Sequence, residues 1–497
     1  MQVCPSLGYH VCLRSLLPEA RFLGADDIGV DRCRCDSREV EPGDLFVALP
    51  GSRVDGHDFV AEAVAAGCSA VLVERPVPGV ELPQAIVPNA RNAYARICQA
   101  LAGNPSRYLK TIGVTGTNGK TTTCCLIAGV LTAAGHKTGV LGTLGYLDGD
   151  RIEESTHTTP PPRQLADLLG RMVRHGCSHA VIEVSSHALE QSRVAGVRFD
   201  AACVTNVSRD HLDYHKTIYD YRAVKSKLFE HLPPEGLAVI NADDPTSAGY
   251  LGRLDGPVLT VGIRSAAEIT AVPVEQCISE QTFLLTAGSD TMPVRTKMIG
   301  THHIYNCLEA AAVGLVYGID LATVVRGLES ADQVPGRLER IECGQPFGVF
   351  VDYAHTPDAL TGSLRALREV VRGRLICVFG AGGDRDQSKR PLMGRAVERD
   401  ADVAIVTTDN PRTEDPLEII DDVLEGFQDP DSADAVVDRA EAIRRALADA
   451  GPGDGVLIAG KGHENYQIVG EHRIPLDDCE IARQWLYEVQ PYANTGI

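Results

Sequence analysis

At 497 residues, with 47 Lys and Arg against 67 Asp and Glu for a formal net charge of −20, the chain is long enough for roughly two to four domains, each with its own core. The acidic balance excludes nonspecific nucleic-acid binding and leaves any anionic ligand to local basic residues. No apolar run reaches membrane-spanning length, and the start at Met1 lacks the basic, apolar and small-residue segments of a secretory signal, so a cytoplasmic protein with no membrane partner is expected.

Residues 1–102 predict a small α/β unit of short strands and a helix, with turns at Pro42-Gly43-Asp44 and Pro50-Gly51-Ser52. Of the 15 cysteines, Cys33/Cys35 and Cys124/Cys125 are the only close pairs, and reduced thiols are expected rather than disulfides or structural zinc. The linker at 102–107 ends the first unit. From 108 to 333, apolar strands at 138–142, 180–184, 201–205 and 237–240 alternate with helices, which predicts a mostly parallel sheet with covering helices. Val334-Pro335-Gly336 marks a second boundary, and 334–497 repeats the alternation with strands near 347–352, 374–379, 402–407 and 455–459. The fold class is therefore α/β, in three domains.

The central region opens on GVTGTNGKTTT at 113–123. A strand at 109–114 runs into it, and a helix at 121–134 leaves it to end at a C-cap glycine, Gly135. Gly116, Thr117, Asn118 and Gly119 form a turn whose amides can approach phosphates. Lys120 brings positive charge to the terminal phosphates, and Thr121, ahead of Thr122, offers a hydroxyl to Mg2+. The spacing is shorter than G-x4-G-K-[ST], since Val114 stands five residues before Gly119 and Gly116 carries the turn. An ordinary strand-to-helix loop is the alternative.

Polar motifs stand where the predicted strands end, the edge at which open α/β sheets bind ligands. They are Glu183 to His187, Asn206 to His215, Asp352-Tyr353-Ala354-His355, Gly382-Gly383-Asp384-Arg385, Asp409-Asn410-Pro411-Arg412 and Gly460 to Glu464. Two such edges predict a cleft between domains. Glu183, at the end of an apolar strand, needs a positive partner, and nucleotide-bound Mg2+ suits it together with Thr121; an ion-paired or capping role is the alternative. His211 and His215 have a zinc-like spacing, but no third ligand of matching type is evident and the neighbouring carboxylates favour a harder ion.

GTNGKTT, EVSSHAL, NVSRDHLDYH, VDYAHTP, the GDRD-to-KRP segment and GKGHE follow one another across essentially the whole chain. In that order they resemble the Mur ligases, ATP-dependent amide-bond synthetases of bacterial cell-wall precursor assembly. The resemblance implies a UDP-muramoyl-binding domain at 1–102, a central P-loop-type ATP-binding ligase domain at 108–333 and a C-terminal Rossmann-like, amino-acid-binding domain at 334–497. ATP is implied as co-substrate and Mg2+ as cofactor, with no nucleic acid; a monomer is expected. Within the family, Asp409-Asn410-Pro411-Arg412 is similar to the signature of the branch that adds meso-2,6-diaminopimelate to UDP-N-acetylmuramoyl-L-alanyl-D-glutamate. Arg412 can meet the far carboxylate of diaminopimelate with two parallel hydrogen bonds, a group that lysine lacks. The tetrapeptide and Asp36-Ser37-Arg38 speak against the folylpolyglutamate synthetase branch, which shares the phosphate loop.

Other roles are implied position by position. Arg390, Asp409, Asn410, Pro411, Gly460 and Glu464 join Arg412 in the diaminopimelate site, with Glu464 on the distal ammonium. Ser37, Ser52, Arg53 and Val54 resemble uridine and diphosphate contacts; Thr158, Thr159, Ser185, Gln191 and Arg193 resemble residues that hold the muramoyl peptide. Asn306, Arg337 and Asp352 resemble further ATP contacts. Lys120, Glu183, His211 and Lys225 are the implied catalytic residues. Lys225, which alone reads as a solvated helix lysine, resembles the lysine that these ligases carbamylate to N6-carboxylysine, a donor to a second Mg2+ with His211. One departure stands out: where relatives show G-x-F-N-x-x-N, His303 replaces the first asparagine while Asn306 is kept, so altered ATP affinity is expected.

Overall fold

The computed structural model describes residues 9–51, 54–208 and 212–489. Three main sheets follow one another along the chain. The first has five strands in the order Arg21–Leu23, Gln84–Ile86, Ala70–Val73, Leu45–Val47, Cys33–Arg34, parallel except at the first pair. Helix Ala90–Leu101 starts where the Asn89 side chain accepts from the Asn92 amide. Its apolar positions Ala93, Tyr94 and Ile97 close the core over Leu45, Val47 and Leu72.

The second sheet has eleven strands. Its middle is parallel in the order Thr138–Gly142, His179–Glu183, Lys110–Thr115, Ala201–Val204, Leu237–Asn241, Val258–Gly262, Ile269–Gln276. Strand Lys110–Thr115 lies inside this sheet and is buried from Thr111 onward, as its run of apolar and small residues requires. Helix Lys120–Ala133 leaves it and packs against Thr301–Val316 and Leu321–Glu329. The last contact is close enough to need glycine, because a Cβ on Gly327 would lie 2.4 Å from Val130 Cα. Ile112, Ile127, Val130, Leu308 and Val324 fill the centre with no exposure; truncating one such leucine or isoleucine to alanine costs about 2–5 kcal/mol.

The third sheet has six strands in the order Glu339–Ile341, Gly348–Asp352, Gly455–Ala459, Leu375–Phe379, Val403–Thr407, Ala433–Val436, all parallel but the first. Helices Pro357–Val370, Arg390–Asp400 and Pro416–Leu424 cover one face, and Arg439–Asp449 and Asp478–Val489 the other. Strand Gly455–Ala459 enters between two earlier strands, so chain crossovers diverge there and leave a crevice at the carboxyl ends.

The α/β class and the strands expected at 138–142, 180–184, 201–205, 237–240 and in the third region agree with these sheets to within about two residues. The antiparallel additions were not expected. Gly145–Leu147 with Ile152–Glu153 extends one edge of the central sheet, Gln281–Ala287 with Asp290–Thr296 extends the other, and Tyr466–Val469 pairs with His472–Pro475. Gln281–Ala287 and Asp290–Thr296 mix buried with exposed residues, and Ile152–Glu153 and His472–Pro475 are exposed throughout, so these strands lack the continuous apolar signal of the parallel ones. The described cysteines are free thiols, and no described helix is long and apolar enough to cross a membrane.

Candidate active site

A cavity of about 790 Å³ is lined by the carboxyl ends of the second and third sheets together. The phosphate loop forms one wall. Gly119 is left-handed at φ 85°, and a Cβ there would fall 2.5 Å from Asn306 Oδ1. The loop is clamped by its neighbours: Thr117 N donates to Asn206 O at 2.8 Å, Asn118 N to Asn206 Oδ1 at 3.0 Å, and Thr205 Oγ1 to Asn118 O at 2.6 Å. Lys120 Nζ donates back to the carbonyls of Gly116 at 2.9 Å and Thr117 at 2.8 Å. Lys225 is 1 % exposed, not solvated, and its Nζ donates to Gly116 O at 2.7 Å above the Tyr221 ring. Two lysines thus concentrate positive charge at one turn in a chain of net charge −20.

Beside the loop, Glu183 is buried at the end of its strand. Its Oε2 accepts from Thr121 Oγ1 at 3.2 Å and from Thr143 Oγ1 at 3.1 Å, and its Oε1 from Thr143 N at 3.0 Å. Thr121 Oγ1 in turn accepts from Arg337 Nη2 at 3.0 Å. The Thr121 and Glu183 oxygens fit Mg2+, since neighbouring ligands of an octahedral Mg2+ at about 2.1 Å lie about 3 Å apart, and the remaining positions would fall to phosphate and water. His211 lies outside the described residues. His215 is buried with Nε2 3.0 Å from Ser186 Oγ, and no cluster of three His, Cys, Asp or Glu with metal geometry occurs among the described residues.

The next wall comes from helix Thr301–Val316 and the loop after Gly348–Asp352. Asn306 Oδ1 accepts from Thr123 Oγ1 at 3.3 Å. His303 is 2 % exposed, neither ring nitrogen has a hydrogen-bond partner, and burial holds its pKa well below the usual histidine value, so it lines the cavity as a neutral imidazole. Glu309, one helical turn beyond Asn306, is fully buried with a pKa raised to about 8 by desolvation; Thr123 Oγ1 donates to its Oε2 and its Oε1 is unpaired. Asp352 is also pushed up by burial, partly offset by Arg337 and by donation from Leu338 N, Ala354 N and Ser363 Oγ.

The far end carries the 409–412 loop. Asp409, Asn410, Arg412, Gly460 and Glu464 line the cavity together. Arg412 takes a left-handed backbone, φ 53°, and its Nη1 donates to Gly383 O at 2.6 Å. Desolvation and the nearby Arg385 lower its pKa. Asp409 Oδ2 is buried and unpaired. Pro411 supplies the turn without lining the cavity. Arg390 also stands behind the wall: its guanidinium is committed to Glu414 at 2.8 Å and Asp422 at 2.7 Å, so it braces the loop rather than facing the space.

Thr158, Ser185 and Arg193 also line the cavity. Thr159 and Gln191 lie behind them. Thr159 Oγ1 donates to Glu183 O at 2.7 Å, and Gln191 Oε1 accepts from Arg193 Nε at 3.1 Å. Ser37 Oγ donates to Glu62 Oε2 at 3.0 Å and Val54 is exposed, both away from this cavity; Ser52 and Arg53 lie outside the described residues. Sequence reasoning passed over Thr143 and Glu309. Thr143 was within reach of the strand-end rule, as it directly follows Thr138–Gly142. Glu309 lacked any local signal, being one acid in an apolar helix.

Comparison with known proteins covers the same ground. Residues 30–104 match the Mur ligase family catalytic domain, 114–314 the Mur ligase middle domain and 336–462 the Mur ligase glutamate ligase domain. The UDP-N-acetylmuramoyl-L-alanyl-D-glutamate–2,6-diaminopimelate ligase of Geobacillus thermodenitrificans is 44 % identical over 455 residues, 90 % of this chain and 93 % of the relative. The protein of the same name from Gloeobacter violaceus is 44 % identical over 490 residues, 97 % of this chain and 98 % of its own. A solved structure of a ligase of that name superposes with a TM-score of 0.68 at 32 % identity, over 97 % of this chain and 99 % of the other. The MurF ligase of Thermotoga maritima, solved in complex with ADP, shares the fold at a TM-score of 0.61 and 20 % identity, over 92 % of this chain and 97 % of that one. By family models over all three regions and by identity along nearly its full length, the chain belongs to the Mur ligase family.

Proposed function

We propose that this protein is an ATP-dependent ligase that joins meso-2,6-diaminopimelate to the D-glutamate of UDP-N-acetylmuramoyl-L-alanyl-D-glutamate in peptidoglycan precursor synthesis, the reaction for which its relatives are named. One observation carries the reading: Arg412 and the phosphate loop line one cavity. On this reading the D-glutamate side-chain carboxylate attacks the γ-phosphorus of ATP, giving an acyl phosphate and ADP. The amine of diaminopimelate then attacks the acyl carbon and loses a proton as phosphate leaves. Lys120 stabilises charge on the transferring phosphoryl group. Mg2+ on Thr121 and Glu183 would neutralise phosphate charge. Carbamylation of Lys225 belongs to the same reading and is supported by its burial at Gly116. Thr158, Ser185 and Arg193 hold the muramoyl peptide, and Ser37 and Val54 belong to a uridine site in the first domain, 1–102. The enzyme acts in the cytoplasm as a monomer.

The test is phosphate release from ATP and Mg2+ with the UDP-muramoyl dipeptide and, in turn, meso-diaminopimelate, L-lysine or no amino acid. Release is expected only with diaminopimelate. Equal release with lysine, or without an amino acid, rejects the reading.

A further inference from the structure

Lys461 is fully buried, and its ammonium does not line the cavity. Nζ lies 3.1 Å from Glu464 Oε2 and donates to Asn410 Oδ1 at 3.1 Å, with the Tyr466 ring beside it. Asn410 Nδ2 donates to the same Glu464 Oε2 at 3.0 Å, which closes a triangle of three side chains. Both donors fall on one carboxylate oxygen. Glu464 Oε2 is therefore held by two donors, and the same residue lines the cavity. A buried ammonium is costly without such anionic and polar partners, so this lysine has a specific electrostatic task at that carboxylate.

The same segment straps the loop that carries Arg412. Ile468 N donates to Asn410 Oδ1 at 2.9 Å and Gln467 Nε2 to Asp409 O at 2.6 Å. Arg412 N donates to Ile468 O at 3.0 Å, and Arg412 O accepts from Gly470 N at 2.7 Å. Asn410 is the joint between strap and triangle: its amide oxygen takes the Ile468 amide and the Lys461 ammonium, while its nitrogen serves Glu464.

We propose that Lys461 is a positioning residue for amino-acid recognition: it fixes Glu464 and Asn410 so that Glu464 Oε1 meets the distal ammonium of the incoming diamino acid. The proposal rests on the diaminopimelate reading. Lysine suits the task because a single ammonium can serve two acceptors at once, where an uncharged side chain would let the carboxylate turn.

The experiment is steady-state kinetics on the full chain for wild type, K461M, E464Q and K461M/E464Q, with thermal melting of each. In K461M the KM for diaminopimelate is expected to rise about tenfold to a hundredfold, the loss of a charge-assisted hydrogen bond, while kcat and the KM values for ATP and the UDP-muramoyl dipeptide hold. On the E464Q background, where no anion remains to be positioned, adding K461M should move the diaminopimelate KM by less than about threefold. The double variant removes both charges together and keeps the comparison readable where K461M folds poorly. An unchanged KM in K461M, an equal rise on both backgrounds, or a loss shared by all three substrates overturns the role of Lys461 while the functional reading stands. A wild-type enzyme that ignores diaminopimelate overturns both.

Discussion

The Arg337 guanidinium donates to Thr121 Oγ1 at 3.0 Å, so the first loop of the third region reaches the first turn of the phosphate-loop helix. Arg337 lies over the Tyr353 ring at 4.6 Å, and the next residue is anchored by donation from Leu338 N to Asp352 Oδ2 at 2.6 Å. Nucleotide binding and the seating of the third region are therefore linked through one side chain. R337A leaves a charge-assisted bond unmade, worth about 1.5–3 kcal/mol. Its kcat/KM for ATP is expected to fall about tenfold to a hundredfold, measured by initial rates at saturating amino acid.

Arg412 offers a planar fork, and lysine a single point of charge. R412K is expected to raise the KM for diaminopimelate by about tenfold or more and leave the KM for ATP unchanged. Initial rates with each substrate varied in turn decide it; an unaltered diaminopimelate KM removes Arg412 from substrate recognition.

On the proposed function Glu183 would hold Mg2+ with Thr121. E183Q keeps the shape and the Thr143 contact but removes the charge, so higher Mg2+ should be needed for half-maximal rate and kcat should drop by about a hundredfold. A Mg2+ titration of phosphate release is the check.

Burial raises the Glu309 pKa to about 8, above its unfolded value of 4.5. The folded state then holds a proton that the unfolded state has released, so this group's contribution is full below pH 4.5 and is lost as pH rises through 8. E309Q should match wild type near pH 4.5 and become the more stable protein as pH climbs, by up to about 1.4 kcal/mol per pH unit across that window. Urea unfolding at several pH values reads it; a difference that stays flat with pH rejects the assignment.

His303 keeps two buried ring nitrogens without partners at the nucleotide side of the cavity. On the proposed function a polar group of the bound nucleotide would pair with one of them, since buried polar atoms are normally paired. H303F should raise the KM for ATP by about tenfold and spare the diaminopimelate KM. Equal effects on both, measured by initial rates, would assign His303 to general packing.

Much of the fold was legible along the chain. Parallel strands buried on both faces read as runs of apolar or small residues, as at Thr111 to Thr115 and Leu375–Phe379, and the motif residues follow at their carboxyl ends. Local chemistry therefore determined the α/β class, the phosphate loop with Lys120 and Thr121, and the placing of the 409–412 and 460–464 motifs at strand ends; the family resemblance implied that they meet, and they line one cavity. Partners distant in sequence were decided only by the tertiary structure. Nothing near Arg390 announces that Glu414 and Asp422 take its guanidinium. Nothing near Lys225 announces that it is buried against Gly116, 109 residues away, and nothing in GKGHE separates the lysine that braces from the glutamate that faces the cavity. Residue type and strand-end position set what a side chain can do; which of those capacities is used depends on the charges and carbonyls that other segments bring within hydrogen-bond reach, and only packing brings them there.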